Sequence, residues 1–367
     1  MRVTLAEIYK PDYIYAPVEN GNYKLEKQSD DAACALHPEL SLLLSTSGST
    51  GSPKLVRLTN TNLQANAAAI AEYLQLDSTE RAITNLPFYY SYGLSIINSH
   101  LHVGATLLLT DDSIISPSFW QFADTQGFTS LAGVPYTYDM LEAVGFRKRE
   151  CPTLRYMTQA GGHMAADKVS RYAEWAKDKK LRFYVMYGQT EATARMSYLP
   201  PSKALFHPDS IGIAIPGGSF HIDAPEGEIG ELVYKGDNVC MGYAESRADL
   251  ALVNVNKGLL RTGDMARKDE NGLFYITGRL KRFLKIAGNR FGLDELDSFF
   301  SARGIEAVCG GTDGKLLIAI TNPEHKNDVS ILLKETWHLM RNQFKVQVVP
   351  QIPRSSTGKI LYSELFK

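Results

Sequence analysis

Between Thr46 and Lys54 the chain reads TSGSTGSPK, a run of small residues and hydroxyls that ends on a cation. Gly48 and Gly51 permit positive φ and a close backbone approach to a ligand. Thr46, Ser47, Ser49 and Thr50 add hydroxyls, and Lys54 adds charge. That combination suits a polyphosphate, which needs many donors and little side-chain bulk. It is not the GxxxxGK[ST] loop of the P-loop nucleotidases, because Pro53 stands where the second glycine-lysine junction would fall. Taken alone, the run also reads as a Ser/Gly surface turn. Other glycine-bearing polar segments follow: QAGGHM from Gln159, YGQTEAT from Tyr187, RTGD from Arg261, ITGRLKRFLKIAG from Ile276 and IPRSSTGKI from Ile352.

A phosphate loop works only if rigid elements hold its ends. From Leu40 to about Gly188, β-type runs (SLLLST, AITNLP, ATLLLTD, LRYMTQ, RFYVMYG) alternate with helix-like segments (TNLQANAAAIAEYLQL, YSYGLSIINSHLHV, SPSFWQFADTQ, PYTYDMLEAV, AADKVSRYAEWAKDK). The alternation predicts parallel strands covered by helices, and their apolar character fits a sheet buried on both faces. From about Arg195 to Arg279 glycine and proline become frequent and strands short, which predicts an antiparallel, barrel-like region. From Leu280 a small α+β module is expected. It has a basic opening, a helix at LDELDSFFSAR, a strand at LLIAIT, a helix at DVSILLKETWHLMRNQ and an extended tail. The predicted fold is therefore α/β, with a large N-terminal domain over 1–279, its β-rich subdomain at about 195–279, and a small C-terminal domain over 280–367.

The formal net charge of −1 gives no electrostatic reason for a nucleic-acid or membrane-surface partner. Cys34, Cys151, Cys240 and Cys309 form no CxxC pair and read as free thiols of a reducing compartment. His100, His102 and His163 are not spaced as a metal site. The N-terminus shows no basic segment followed by an apolar core, and no apolar run reaches the ~20 residues of a membrane span. A cytoplasmic location is expected.

Together the motifs resemble, in order, those of the adenylate-forming superfamily of acyl-CoA synthetases, adenylation domains and luciferases. The resemblance runs from about residue 40 to the end. It implies that residues 46–51 and Lys54 hold the phosphates of ATP, while Gly161 and Gly162 leave room for adenine. Within YGQTEAT it implies that Tyr187 stacks beside adenine, with Gly188 in the same motif. Thr190 would touch the α-phosphate and Glu191 would help hold Mg²⁺. It assigns Asp264 to the ribose hydroxyls, Arg279 to the ribose, Lys281 to a hinge pivot, and Lys359 to the carboxylate and α-phosphate. The small domain would be a mobile lid that alternates between two half-reactions, with Gly288 beside a thiol tunnel. Family members carry a much longer segment before the phosphate loop than the about forty residues here, so part of an N-terminal subdomain is expected to be missing or shrunken.

The implied activity is ATP-dependent activation of a small carboxylic acid to an acyl-adenylate, followed by transfer to CoA or to the phosphopantetheine of a separate acyl carrier protein. A non-catalytic nucleotide-binding regulator and a ligase with an amine acceptor are the alternatives. NLPFYYSYGLS resembles the segment that opens the acyl pocket. Tyr90 stands where amino-acid-activating relatives carry an aspartate, so an α-amino acid is disfavoured. Tyr89 and Tyr90 read equally as pocket walls or core aromatics, and Gly133 and His163 complete the pocket candidates. Arg279, Lys281, Arg282, Lys285 and Arg290 could meet the phosphates of CoA or an acidic carrier helix; for Arg282 and Lys285 a solvated basic edge is the equal alternative. Arg282 and Leu293 depart from the family pattern, which usually has an acidic residue and a proline there.

Overall fold

The computed structural model describes residues 2–18, 22–28, 34–45, 54–280, 282–287, 289–354 and 360–366. Among the candidates above, Thr46 to Gly51, Lys281, Gly288 and Lys359 lie outside the described residues.

Alternating strand and helix between residues 81 and 187 builds the main sheet. Its parallel part runs, in spatial order, Thr106–Leu109, Arg81–Thr84, Ser130–Gly133, Tyr156–Gln159 and Arg182–Tyr187. Ser197–Leu199 and Ile213–Ala214 extend it antiparallel at one edge. The crossovers are the helices Ser91–His102, Pro117–Gln126, Pro135–Ala143 and Ala166–Asp178. Their ends are coded locally. Pro117 and Pro135 occupy first-turn positions whose missing N–H costs nothing. Ser116 caps the Phe119 N–H, and Gly127 closes the same helix at φ 64°, which only glycine adopts freely. Phe119, Phe128, Tyr138, Leu141 and Tyr172 are buried in the core beneath these helices.

The run SLLLST forms a strand, Leu40–Ser45, but not in the parallel sheet. It pairs antiparallel with Leu55–Thr59, which pairs in turn with Gly242–Ala244. Only nine residues, 46–54, lie between the first two in sequence, fewer than the dozen or more that a parallel crossover needs. Residues 46–54 therefore join the two strands of a hairpin. Leu55–Thr59 is not foreseeable from pattern alone because it carries Arg57 into the core, at 1% exposure. The guanidinium lies on backbone carbonyls, those of Tyr243, Leu252, Met241 and Val253, which replace its water.

Downstream, Ser219–Asp223, Gly230–Lys235, Leu259–Lys268 and Phe274–Arg279 form a four-stranded antiparallel sheet. The smaller C-terminal α+β domain follows. It has a hairpin (Phe283–Ile286 with Asn289–Gly292), the helix Leu293–Ser301, and a three-stranded sheet of Ala307–Thr312, Lys315–Ile320 and Phe344–Val348. Leu296, Phe300, Ile318, Val329 and Leu333 are fully buried in a core of its own. Its second helix, His325–Glu335, stops well short of the expected end: His338 turns left-handed at φ 53° and the chain leaves for the last strand. At the other end, the helix Arg2–Tyr9 and an antiparallel hairpin, Tyr13–Pro17 with Tyr23–Lys27, precede the main body. Among the described residues no helix is long and apolar enough to cross a membrane.

Candidate active site

Parallel strands end at one edge of a sheet, and the segments leaving their carboxyl ends form a crevice there. Tyr89 and Tyr90 follow Arg81–Thr84, and Gly133 ends Ser130–Gly133. Gly161, Gly162 and His163 follow Tyr156–Gln159, while Gly188, Thr190 and Glu191 follow Arg182–Tyr187. Candidates chosen by motif thus converge on one edge through topology.

The turn after Tyr187 is unusually constrained. A side chain at Gly188 would overlap the Ala194 carbonyl, so only glycine allows this approach. Thr193 and Ala194 sit at φ 57° and 100°, conformations that cost on the order of 1–3 kcal/mol each in non-glycine residues. Neighbours over-determine the turn. Thr193 donates to the Asn238 carbonyl at 2.7 Å, Asn238 donates to the carbonyls of Ala192 and Arg195, and the Cys240 N–H donates to the Glu191 carbonyl at 2.8 Å. The result fixes Thr190 and Glu191 on a short 3₁₀ turn. The Thr190 hydroxyl lies 3.2 Å from the Ser91 hydroxyl at the start of a helix.

Asp264 is the most buried acid of the group, at 4% exposure. Tyr187 donates to its Oδ2 at 2.5 Å and Gln189 donates to the same oxygen at 3.0 Å. Antiparallel register places Asp264 opposite Arg279, whose Nε lies 3.2 Å from Oδ1. Burial nevertheless raises the Asp264 pKa, because Arg279, with a side chain 67% exposed, attracts it through solvent. Burial, followed by the adjacent carboxylate, also pushes the Tyr187 phenol well above its ordinary range and keeps it a donor.

Tyr243 donates to Glu191 Oε1 at 2.7 Å. Lys54 Nζ lies over the same ring, 3.5 Å from its centroid, and 3.9 Å from Glu245. One tyrosine therefore touches both the candidate metal-holding acid and the candidate phosphate-holding lysine. Gln189 and Tyr243 were not foreseen. Gln189 fills a variable place in its motif, and Tyr243 reaches the site only through the pairing of Gly242–Ala244 with Leu55–Thr59.

In the acyl-pocket group, a Cβ at Gly161 would overlap the Tyr90 hydroxyl, and one at Gly162 would come within 3.2 Å of Pro135. The room beside Gly161 is thus taken by Tyr90 itself. Desolvation raises the Tyr90 phenol to about 12, and Tyr92 packs edge-on against it at 6.2 Å. Gly133 is buried against Thr137 and Tyr138, whereas Tyr89 and His163 are exposed. Arg282, read above as a phosphate contact or a solvated edge, is neither. Its side chain is 14% exposed and held by Asp294 and Asp297; Lys285 is exposed.

Among the described residues no three His, Cys, Asp or Glu side chains gather to hold a metal unaided. Magnesium bound with a nucleotide needs less, since one or two carboxylates and the phosphates complete its shell. Glu191, held by Tyr243, and Thr190, paired with the Ser91 hydroxyl, offer oxygen donors of the kind this ion takes.

A family model for AMP-binding enzymes matches residues 9–244. The chain is 28% identical to the feruloyl-CoA synthase of Amycolatopsis sp over 351 residues, covering 89% of this chain and 69% of that protein. It is 26% identical to the 2-succinylbenzoate–CoA ligase of Bacillus cereus, over 97% of this chain and 75% of the relative. The o-succinylbenzoate coenzyme A synthetase of Bacillus subtilis, solved with ATP and magnesium ion, has the same fold: TM-score 0.72 at 23% identity, over 93% of this chain and 73% of that one.

Proposed function

The chain belongs to the AMP-binding enzyme family, and on that premise we propose that it activates a small carboxylic acid as an acyl-adenylate and passes the acyl group to a pantetheine thiol, of CoA or of a separate carrier protein. The observation that carries this reading is that Tyr187, Gln189 and Arg279 gather on Asp264 while Glu191, two residues after Gln189, is held by Tyr243, whose ring also meets Lys54. A buried carboxylate with an accessible arginine partner suits a ribose diol. Hydroxyls and a lysine suit the phosphates, and an oxygen-donor acid suits a magnesium ion bound with them.

In the first step a carboxylate oxygen of the acid attacks the α-phosphorus of ATP. The bond from that phosphorus to the bridging oxygen breaks, and pyrophosphate leaves with the electron pair. Two anions must meet, so the protein supplies charge neutralisation and alignment. Residues 46–51 and Lys54 hold the departing phosphates, Thr190 orients the α-phosphate, and Lys359 brings a cation to the attacking oxygen. Mg²⁺ held by Glu191 would offset phosphate charge when bound. Asp264 and Arg279 hold the ribose, with Tyr187 beside adenine. In the second step the thiol sulfur attacks the acyl carbon, the carbon–oxygen bond to phosphate breaks, and AMP leaves. Lys281, just past the domain boundary at 279–280, is the hinge pivot that exchanges the Lys359 face for the Gly288 face.

Tyr243→Phe tests the Glu191 side without removing the ring beneath Lys54. Loss of one partner that orients a metal ligand typically costs about 10–100-fold. We expect a fall of that size in adenylation, a raised Mg²⁺ requirement and an unchanged melting temperature. Wild-type rates at limiting Mg²⁺ would remove Glu191 from the metal. The overall reading is tested by acid-dependent ATP–pyrophosphate exchange across a panel of carboxylic acids, then by adding CoA, a phosphopantetheinylated carrier or an amine. Exchange with a subset of acids and thioester formation are expected. ATP binding with no exchange for any acid would make the chain a nucleotide holder, and product only with an amine would change the acceptor.

A further inference from the structure

The residue after Lys281 departs from the family's usual acidic type, and its surroundings give it a use that phosphate binding does not. Arg282 donates to Asp294, to Asp297 Oδ2 at 2.8 Å and to the Cys309 carbonyl at 2.9 Å. Its guanidinium stacks 4.6 Å from the centroid of the Tyr362 ring. One side chain thereby joins the helix Leu293–Ser301, the strand Ala307–Thr312 and the C-terminal segment. The tail is cinched further: Arg354 bridges Ile360, the Leu361 N–H donates to the Pro353 carbonyl at 2.9 Å, and the Phe366 ring fills the space over Gly310 where no side chain fits. Lys359 is three residues from Tyr362 and one from Ile360. On the other side of Lys281, Arg279 engages Asp264 of the large domain. Two arginines, each bound to a different domain, bracket the pivot within four residues of chain.

We propose that Arg282, with Tyr362, is a positioning residue for adenylation: it locks residues 360–366 to the chain just after the proposed pivot, so that the residues immediately following Lys359 are anchored to the small domain. The inference rests on the proposed role of Lys359 and deepens it. Charge-assisted bonds from a planar, forked guanidinium suit this task, whereas a lysine is a single point charge that cannot span both acids, the carbonyl and the ring.

The test uses the full chain with Arg282→Lys and Tyr362→Leu. Arg282→Ala is avoided because it leaves two neighbouring acids uncompensated. The first readout is hydrogen–deuterium exchange. The amides of Leu361, Leu365 and Phe366 should exchange about tenfold faster in both variants, with those of Phe344–Val348 unchanged. The second is ATP–pyrophosphate exchange: kcat should fall about 10–100-fold, the scale expected when a catalytic group is misplaced by about 1 Å, while KM for ATP stays within about twofold. A tail as protected as wild type in both variants overturns the proposal. So does a wild-type kcat in both while Lys359→Ala is inactive, and that pattern leaves the proposed function standing. If no acid supports exchange in the wild type, the function fails and the deuterium readout still decides the clamp.

Discussion

Replacing Lys359 by alanine is expected to lower acid-dependent ATP–pyrophosphate exchange by about 100–1000-fold, the loss that follows removal of one preorganised contact to a transition state, about 2.7–4 kcal/mol. The reason is electrostatic. A carboxylate approaching a phosphate gains attraction only from cations placed where the new bond forms, and a cation there acts more strongly on the transition state than on bound ATP. KM for ATP should therefore change little. Thiolysis of acyl-adenylate supplied from outside should survive, because the proposed rotation at Lys281 would remove this lysine from the second step. Equal losses in both half-reactions would mean that Lys359 holds the fold and not the reacting atoms.

Asp264→Asn should raise KM for ATP by roughly 10–100-fold, since a hydrogen bond to a charged group contributes about 1.5–3 kcal/mol. The same change should raise the melting temperature of the unliganded protein at neutral pH. Burial lifts the folded-state pKa of Asp264 above its ordinary value of 3.8. A raised carboxylate pKa contributes stability that is fully present below the ordinary value and is lost as pH rises through the folded one. At neutral pH the ionised side chain is therefore a net cost, and asparagine relieves it while leaving Arg279 free to turn to solvent. The gain should vanish as pH falls below the ordinary carboxylate range. A lower melting temperature at neutral pH would show that the pull of Arg279, Tyr187 and Gln189 outweighs burial.

The parallel sheet was legible because its strands and helices differ in period and in length, and because Pro117, Pro135 and Gly127 mark helix ends. Leu55–Thr59 was not, because a buried arginine breaks the apolar pattern and its compensation comes from carbonyls of residues 241–253, far along the chain. The short strand Ser130–Gly133 offered too few residues for a pattern. Among the candidates, Tyr187, Asp264 and Arg279 stand out as motif positions, whereas Gln189 fills a variable place in its motif and Tyr243 depends on where distant strands pair. Arg282 was misread for a similar reason. A basic run looks solvated in sequence, and only the fold brings Asp294, Asp297 and Tyr362 around one member of it.

Adenylation requires that the acid's own oxygen become bonded to the α-phosphorus. Turnover of an acid labelled with ¹⁸O in both carboxylate positions, with ATP, Mg²⁺ and the thiol acceptor, followed by mass spectrometry of the nucleotide, measures this directly. One ¹⁸O atom in AMP and none in pyrophosphate is the predicted result. Label in a phosphate other than that of AMP, or unlabelled AMP formed alongside thioester, would contradict it.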